Sequence, residues 1–464
     1  MKKIMLFMIL ITSLVVLFAC SSGNDDPVIS EPPIDTDGNI IIQPATISFT
    51  WWGTSDRNIA TNQAITLFEN KYPQIKVDGS GNPWSGYDTT LSNQLNRSRE
   101  ADIFQINYNW IYSMYGESYF LDLNLLNLDL SDYPQNEHNP LTVNNKLLAL
   151  SVSETGYIFY LNKNVYEDAG VVIPYDDLAQ GKALTWDWLI SAGQQIGAHN
   201  PNKYAIGRLD PQQAAMLMFT YLAQTTGKNV INNDNQLNFT QAELQIGFAF
   251  LNTLRNNNVI LRSNKDDTSN AGPGNPNWNV YENYGGVMTW NTAISEYENT
   301  LPGSDEKMIA VGMFQQQEDD QLGMYKKVSM AYAVSKRVAQ SSAKATAVKL
   351  FLEFMTTDPE AIAILGVDRG ITSHRTAQET LASIDNGKFL NTLEWKGHEV
   401  VQTYYNNQVN LGQMLYIHPY YEHDSFRNVY ELPIERFLLG DRTANQAINE
   451  LMNSFNTQLQ YFMR

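Results

Sequence analysis

Cysteine is nearly absent from this chain, and so are the compact motifs of an enzyme active site. Cys20 is the only cysteine among 464 residues, which excludes a disulfide within the chain. The sequence has no Gly-x-Ser-x-Gly turn for a nucleophile, no phosphate-binding loop and no His-Glu-x-x-His zinc motif. His418 and His423 do not share a helix face, because they are five positions apart with Pro419 between them. We therefore expect no catalytic residue, no bound metal and no cofactor.

Positive charge is also scarce. The chain has 31 basic and 49 acidic residues, a formal net charge of −18, and no dense cluster of Lys and Arg. Such a surface repels phosphates, so no nucleic-acid partner is expected. It also disfavours an anionic ligand unless a local basic pocket is present. What the chain has in quantity is tyrosine (25) and tryptophan (9), whose rings, together with amide side chains, suit the recognition of neutral carbohydrate.

The first twenty residues have the pattern of a secretory signal. Lys2 and Lys3 precede an apolar run over 4–19, which is shorter than the roughly 20 residues that a membrane-spanning helix needs. The run ends in Leu17-Phe18-Ala19-Cys20, which resembles the bacterial lipobox. This resemblance implies that Cys20 is lipidated and anchors the protein to the extracellular face of the cell membrane.

Residues 21–45 are predicted to form a flexible tether. They are rich in Gly, Pro and Asp and have few large apolar side chains before Ile40. Such a composition buries too little apolar surface to offset the entropy lost on ordering.

The remaining body predicts an α/β fold in two lobes, since it is too long for one small core. Strand patterns over 46–52, 75–77 and 101–106 alternate with helical patterns over 59–72 and 87–97. Strands that alternate with helices in this way favour a parallel sheet with helical crossovers. Two further helices are predicted over 343–355 and 444–462.

Several segments, in order along the body, resemble the extracellular solute-binding proteins of ATP-driven importers, the maltose-binding-protein-like group. The matching segments are 68–77, 101–104, 154–163, 184–189, 285–288, 351–360 and 367–372. Residues 325–330 depart from the family pattern, so the resemblance assigns no role to Lys326 or Lys327.

The resemblance implies a two-lobe, class II periplasmic-binding fold with parallel-rich sheets, flanking helices and a ligand cleft between the lobes. It implies one lobe from residues 46–153 and 331–372, and another from 154–330 and 373–464. The implied function is the binding of a sugar or oligosaccharide and its delivery to the permease subunits of an ABC importer, with no enzymatic activity. A monomer is expected.

Ligands of open α/β sheets bind beyond the carboxyl ends of the strands, and this rule, with the resemblance, selects the candidate contacts. Strand alternation turns one of Trp51 and Trp52 into the core without saying which. Asp102, Trp186 and Trp188 are excluded as structural. The candidate ligand-binding residues are Trp51, Trp52, Asn107, Tyr108, Trp110, Glu154, Asp210, Trp278, Trp290, Asn291 and Tyr421.

Two alternatives from other functional classes stay open at this point. A secreted glycoside-active enzyme needs only two carboxylates about 5 Å apart, which sequence spacing does not exclude. A surface protein that captures glycans without an importer would share the same aromatic composition. Turnover of oligosaccharide separates the first from a binding protein, and ligand length separates the second.

Overall fold

The computed structural model describes residues 28–38, 40–114, 116–134, 137–232, 234, 236–262, 283–298, 301, 307–367, 369–410 and 424–462. The predictions made for Cys20, Trp278 and Tyr421 lie outside these residues. No helix in the described ranges is long and apolar enough to cross a membrane.

The described ranges contain nine strands and sixteen α-helices. The strands are β1 (Ala45–Trp52), β2 (Ile75–Asn82), β3 (Ile103–Ile106), β4 (Thr142–Val143), β5 (Lys146–Leu147), β6 (Ala149–Asn162), β7 (Gly286–Trp290), β8 (Met308–Gly312) and β9 (Lys326–Val334). The helices are α1 (Ser55–Lys71), α2 (Tyr87–Asn96), α3 (Trp110–Ser113), α4 (Gly116–Tyr119), α5 (Lys163–Asp168), α6 (Tyr175–Ala179), α7 (Trp186–His199), α8 (Pro211–Thr226), α9 (Gln241–Asn256), α10 (Ile294–Glu298), α11 (Ser342–Thr357), α12 (Pro359–Leu365), α13 (Arg375–Ser383), α14 (Leu393–Asn410), α15 (Asp424–Leu438) and α16 (Ala444–Phe462).

The first half of the main sheet has the strand order β2-β1-β3-β9-β6. β1 pairs in parallel with both β2 and β3, across the crossovers made by α1 and α2, as the alternating pattern predicts. Along β1 the side chains of Ile47, Phe49 and Trp51 are fully buried, whereas Ser48 and Thr50 are not. The two-residue period of β1 therefore packs its apolar face against the core.

β6 continues from this half of the sheet into the other. Its residues 149–156 pair with β9, and residues 157–162 pair with β7 and β8, always antiparallel. Isolated parallel bridges join Tyr204 to Tyr284 and Gly207 to Ile260 in the second half. The described sheet is thus mixed rather than parallel-rich, because the two strands that cross between the halves run in opposite directions.

Two large hydrophobic clusters form the cores of the two halves. One contains residues of β1, β3, α1 and α11, and the other contains residues of β7, α8, α9 and α16. A third, small cluster joins Ile362, Val367, Ile371, Ala377, Leu381 and Trp395. This small cluster lies across position 372, where the predicted division between the lobes falls.

Helix boundaries follow local capping signals. The Thr185 hydroxyl accepts a hydrogen bond from the Trp188 amide, 3.1 Å away, and caps α7. Asp358 accepts from the Ala361 amide at 3.2 Å, and Pro359 opens α12 directly after α11 ends at Thr357. The fixed φ angle of Pro359 and the carboxylate cap at Asp358 explain why α11 ends and α12 begins here.

Part of the stretch predicted to be a flexible tether is packed against the first half. Ile34 and Ile40 form an antiparallel bridge, and the Ile41 amide donates to the Pro33 carbonyl at 2.8 Å. Ile29 and Ile42 are partly buried against the core cluster that contains β1. Ile34, Ile40 and Ile41 are nevertheless exposed, and the flexible tether over 21–45 stays a prediction.

Candidate functional site

The strand ends of the two halves meet where β6 and β9 cross between them. β3 ends at Ile106, which pairs with Ala331 of β9, and β7 ends at Trp290, which pairs with Tyr157 of β6. Lys327 of β9 lies opposite Thr155 of β6, between these two points. The carboxyl ends of β3 and β7 therefore open onto one region, which we call the cleft.

Tyr108, Lys327 and Trp290 form the centre of this cleft. The Lys327 ammonium lies 4.2 Å from the centroid of the Trp290 ring and 5.6 Å from that of Tyr108. Trp290 is half-buried and also meets the Tyr157 ring edge-to-face, with centroids 4.3 Å apart. A cation between two aromatic rings is favourable, and here it joins Tyr108 of the first half to Trp290 of the second.

A cluster of aromatic rings covers the carboxyl ends of β1 and β2, close to Tyr108. Trp84 stacks on Trp110 with centroids 5.7 Å apart, and Trp52 lies 5.1 Å from Trp84 and 5.3 Å from Trp110. Trp52 and Trp110 are buried, whereas Trp84 is 55% exposed. Trp84 is thus the member that presents a face to solvent. Trp84 is not among the predicted contacts, although it follows β2 in a polar loop where a large aromatic side chain is unusual.

Trp51 is a core residue and not a cleft residue. Its ring is fully buried and stacks on Phe49 at 5.0 Å, and its indole nitrogen donates to the Asn58 side chain at 2.8 Å. Strand alternation therefore turns Trp51 inward and sends Trp52 to the aromatic cluster.

Asn291 is also structural, which corrects its prediction as a ligand contact. Its side-chain oxygen accepts hydrogen bonds from the Thr155 hydroxyl and the Gly156 amide, both at 2.9 Å. The side chain is fully buried, and its amide nitrogen faces the Glu394 carbonyl at 3.5 Å. Asn291 thus fixes β6 against the segment after β7.

Asp210 serves as the N-cap of α8. Its carboxylate accepts from the Gln213 amide at 2.7 Å, and the Gln213 side chain accepts from the Asp210 amide at 2.9 Å. Burial raises the pKa of Asp210, an effect opposed by its hydrogen bonds and by Arg427 and Arg208. A reciprocal capping box of this kind explains the residue without a ligand.

Glu154 is buried within the protein and does not line the cleft. Its carboxylate forms an ion pair with Lys326 and accepts a hydrogen bond from the Gln402 side chain. The His398 Nδ1 atom lies 3.8 Å from the same carboxylate. Burial favours a neutral amine at Lys326, but the combined charges of Glu154 and Glu137 outweigh it and raise its pKa.

Glu137 is a second buried carboxyl group beside this pair. The Ser151 hydroxyl donates to it at 2.7 Å. Burial is the main cause that raises the pKa of Glu137, and the charge of Glu154 acts in the same direction. Burial also lowers the pKa of His398 to about 4, and the charge of Lys326 adds to this effect. The crossing point is therefore held by a polar network that sequence patterns did not indicate.

Asn107 follows β3 and is half-buried, with its carbonyl accepting from the Trp110 amide at 3.0 Å. Of the predicted contacts that the structure describes, Asn107 and Trp290 are half-buried beside the cleft, whereas Trp52, Tyr108 and Trp110 are buried beneath it. A cavity of about 640 Å³ lies elsewhere, on the flank formed by α6, β8 and α14, and contains none of these residues. The described residues contain no group of three or more His, Cys, Asp and Glu side chains arranged to hold a metal ion.

Two halves joined by crossing strands, with aromatic side chains where their strand ends meet, define the class of two-lobe periplasmic binding proteins. Residues 54–362 match the family model for the bacterial extracellular solute-binding protein, and the chain belongs to this family. A periplasmic solute-binding protein from Pectobacterium atrosepticum has a similar structure, with a TM-score of 0.75 and 23% identity over 90% of this chain and 100% of that one.

Two structures of saccharide-binding proteins are also similar. An oligogalacturonide-binding protein from Yersinia enterocolitica, in complex with saturated digalacturonic acid, has a TM-score of 0.72 and 21% identity, over 90% of this chain and 100% of that one. A cyclic alpha-maltosyl-1,6-maltose binding protein from Arthrobacter globiformis has a TM-score of 0.67 and 15% identity, with the same coverage of both chains. At these identities the likeness establishes the fold.

Proposed function

We propose that this protein is the substrate-binding lipoprotein of an ABC importer, which captures a sugar or oligosaccharide in the cleft and delivers it to the membrane permease. Membership in the solute-binding family supports the transport role. One observation carries the choice of ligand: Trp290 ends β7 as a half-buried ring, and the Lys327 ammonium lies 4.2 Å from its centroid and 5.6 Å from that of the buried Tyr108 of the other half. An indole stacks on the apolar face of a sugar ring, while polar side chains bond its hydroxyl rim. The saccharide ligands named for two similar structures support the same ligand class.

The proposed site consists of residues that surround the cleft. We assign the stacking role to Trp290 and the opposite wall to Trp84 and the rings beneath it. The proposed members are Trp52, Trp84, Asn107, Tyr108, Trp110, Trp290 and Lys327. Trp278 and Tyr421 stay predictions. The proposed lobes remain residues 46–153 with 331–372, and 154–330 with 373–464.

A thermal-shift screen over mono- to tetrasaccharides tests the binding function. A ligand at 100 times its dissociation constant stabilises the folded protein by about 2.7 kcal/mol, which raises the melting temperature measurably. If no saccharide raised the melting temperature and an unrelated solute did, the protein would bind a different class of ligand.

Two further measurements separate the alternatives. A binding protein returns its oligosaccharide intact by mass spectrometry, whereas a glycoside-active enzyme releases shorter products with time. A glycan-capture protein without an importer would gain affinity steadily with chain length, whereas a closing cleft stops gaining once the ligand fills it.

The lipid anchor is tested at Cys20. Replacement of Cys20 by Ala should remove labelling by a radioactive fatty acid and release the protein or leave an uncleaved precursor. Labelling that persists in the Cys20→Ala protein would show that the anchor is elsewhere or absent.

A further inference from the structure

The pairing of β6 with β7 ends at the residue to which we assign the stacking role. Trp290 is the last residue of β7 and lies opposite Tyr157 of β6. In the same register the next pair would be Gly156 with Asn291, but at Asn291 the chain leaves the strand and forms a 3-10 turn. The Trp290 ring is therefore carried by the final residue of a strand, where backbone pairing holds the chain on one side only.

The Asn291 side chain replaces the missing backbone pairing. Its oxygen accepts hydrogen bonds from the Gly156 amide and from the Thr155 hydroxyl, each at 2.9 Å, and its amide nitrogen faces the Glu394 carbonyl at 3.5 Å. Asn291 is fully buried, and Thr155 is buried as well. Buried hydrogen-bonding groups are costly to leave without a partner, so this arrangement is strongly preferred over any other position of the side chain.

The turn that begins at Asn291 is enclosed on a second side. The Thr292 hydroxyl lies 3.3 Å from that of Thr155. Gly370, at φ +87°, packs directly on Thr292, and a Cβ atom there would lie 2.6 Å from the Thr292 methyl group. Both β6 and the chain at Gly370 thus hold the turn that directly follows Trp290.

We infer that Asn291 is a positioning residue, which fixes the Trp290 ring against β6 in the orientation that receives the sugar, with Thr155 as its partner. Trp290 is only half-buried, so packing restrains its ring less than that of a core residue. A side chain that must be ordered when a sugar binds lowers the affinity, whereas a side chain already held in place does not. This inference rests on the proposed function and gives Asn291 a role in binding without contact with the sugar.

Fluorine NMR of protein labelled with 5-fluorotryptophan tests the position of the ring without any saccharide. The chain has nine tryptophans, and the signal that is lost in Trp290→Phe identifies Trp290. This signal should shift and broaden in Thr155→Val, which removes the hydroxyl but keeps the shape, and should keep its wild-type position in Thr155→Ser. Asn162→Ala removes another buried asparagine of β6, which caps α5, and should leave the signal unchanged.

A double-mutant cycle on saccharide affinity tests the purpose of this position. The probe is the saccharide with the largest thermal shift in the screen, in which maltotriose and digalacturonic acid are included. Asn291→Ala and Thr155→Val should each weaken its binding about three- to tenfold, the range expected when one side chain must be ordered on binding. In the Trp290→Ala background, each change should weaken binding by less than about twofold, because an effect that acts through the ring is lost with the ring.

The outcomes are distinguishable, and Thr155→Val keeps the test decisive if Asn291→Ala does not fold. Losses of affinity that are equally large with and without the Trp290 ring would overturn the inference. A Trp290 signal that stays unchanged in Thr155→Val and Asn291→Ala would also overturn it and leave the proposed function intact. If the wild-type protein bound no saccharide of the screen, the proposed function would fail, while the fluorine signal would still decide whether Asn291 holds the ring.

Discussion

Lys326 and Glu154 form a buried ion pair across the two strands that join the halves of the protein. Their side chains are 9% and 1% exposed, and they lie on β9 and β6 beside Gln402 and His398 of α14. Removing two charges from water is costly, and attraction between them repays that cost only when both are present. The pair therefore makes the crossing point intolerant of single substitutions.

Glu154→Gln should lower the free energy of unfolding by about 3–5 kcal/mol, because the buried Lys326 ammonium loses the carboxylate with which it pairs. The double variant Glu154→Gln/Lys326→Met should recover much of this loss. Glu399→Gln, which breaks the exposed pair with Lys396, should cost at most about 1 kcal/mol. Urea unfolding of the variants measures these differences. A double variant no more stable than Glu154→Gln would contradict this account of the pair.

His398 should make stability fall as the solution becomes acidic. Its pKa is about 4 in the folded protein against an ordinary 6.5, because burial and the nearby Lys326 disfavour its charged form. Between pH 6.5 and 4 the unfolded chain therefore binds a proton here that the folded protein excludes. The free energy of unfolding should drop by roughly 2 kcal/mol from pH 7.5 to pH 5 through this residue alone.

His398→Gln removes this contribution while the facing groups Glu154, Lys326 and Glu399 stay in place. Urea unfolding at both pH values should show a smaller loss on acidification in the variant than in the wild type. Equal losses of the free energy of unfolding in the two proteins would mean that the pKa of His398 does not differ between the folded and unfolded states.

Trp290→Ala should weaken saccharide binding by about 1–3 kcal/mol, since a stacked aromatic anchor is lost. Stability of the ligand-free protein should fall less than the 3–5 kcal/mol typical of a buried tryptophan, because Trp290 is only half-buried. Trp188, half-buried in the same half and stacked on Tyr166 at 5.7 Å, is the matched control. Trp188→Ala should reduce stability and keep the dissociation constant. Normal affinity together with a large loss of stability in Trp290→Ala would show that Trp290 is a core residue.

Trp84→Ala should separate binding from folding most cleanly. Its ring is 55% exposed, so truncation should change the free energy of unfolding by less than about 1 kcal/mol. If Trp84 forms the outer wall of the cleft, saccharide affinity should drop about tenfold or more. Calorimetric titration and urea unfolding of the same variant decide this, and unchanged affinity would remove Trp84 from the site.

Local features of the fold could be predicted because their signals lie within a few residues. The alternation in β1, the cap at Thr185 and the stop at Pro359 each depend on side chains next to the backbone they affect. The helix over 444–462 and the strand–helix–strand order of the first half followed from apolar periodicity alone. Family membership followed from the order of short segments along the chain.

The sequence by itself thus determined the α/β class, the family and the elements whose ends carry the cleft. Tertiary structure alone decided which candidates face it. The Asn291 side chain bonds Thr155 and Glu154 pairs with Lys326, and no local pattern reports a partner more than a hundred positions away. It also placed Lys327 between rings of the two halves. Residue type and spacing fix what a side chain can do, but its partner depends on how distant strands cross, and only the folded chain sets that geometry.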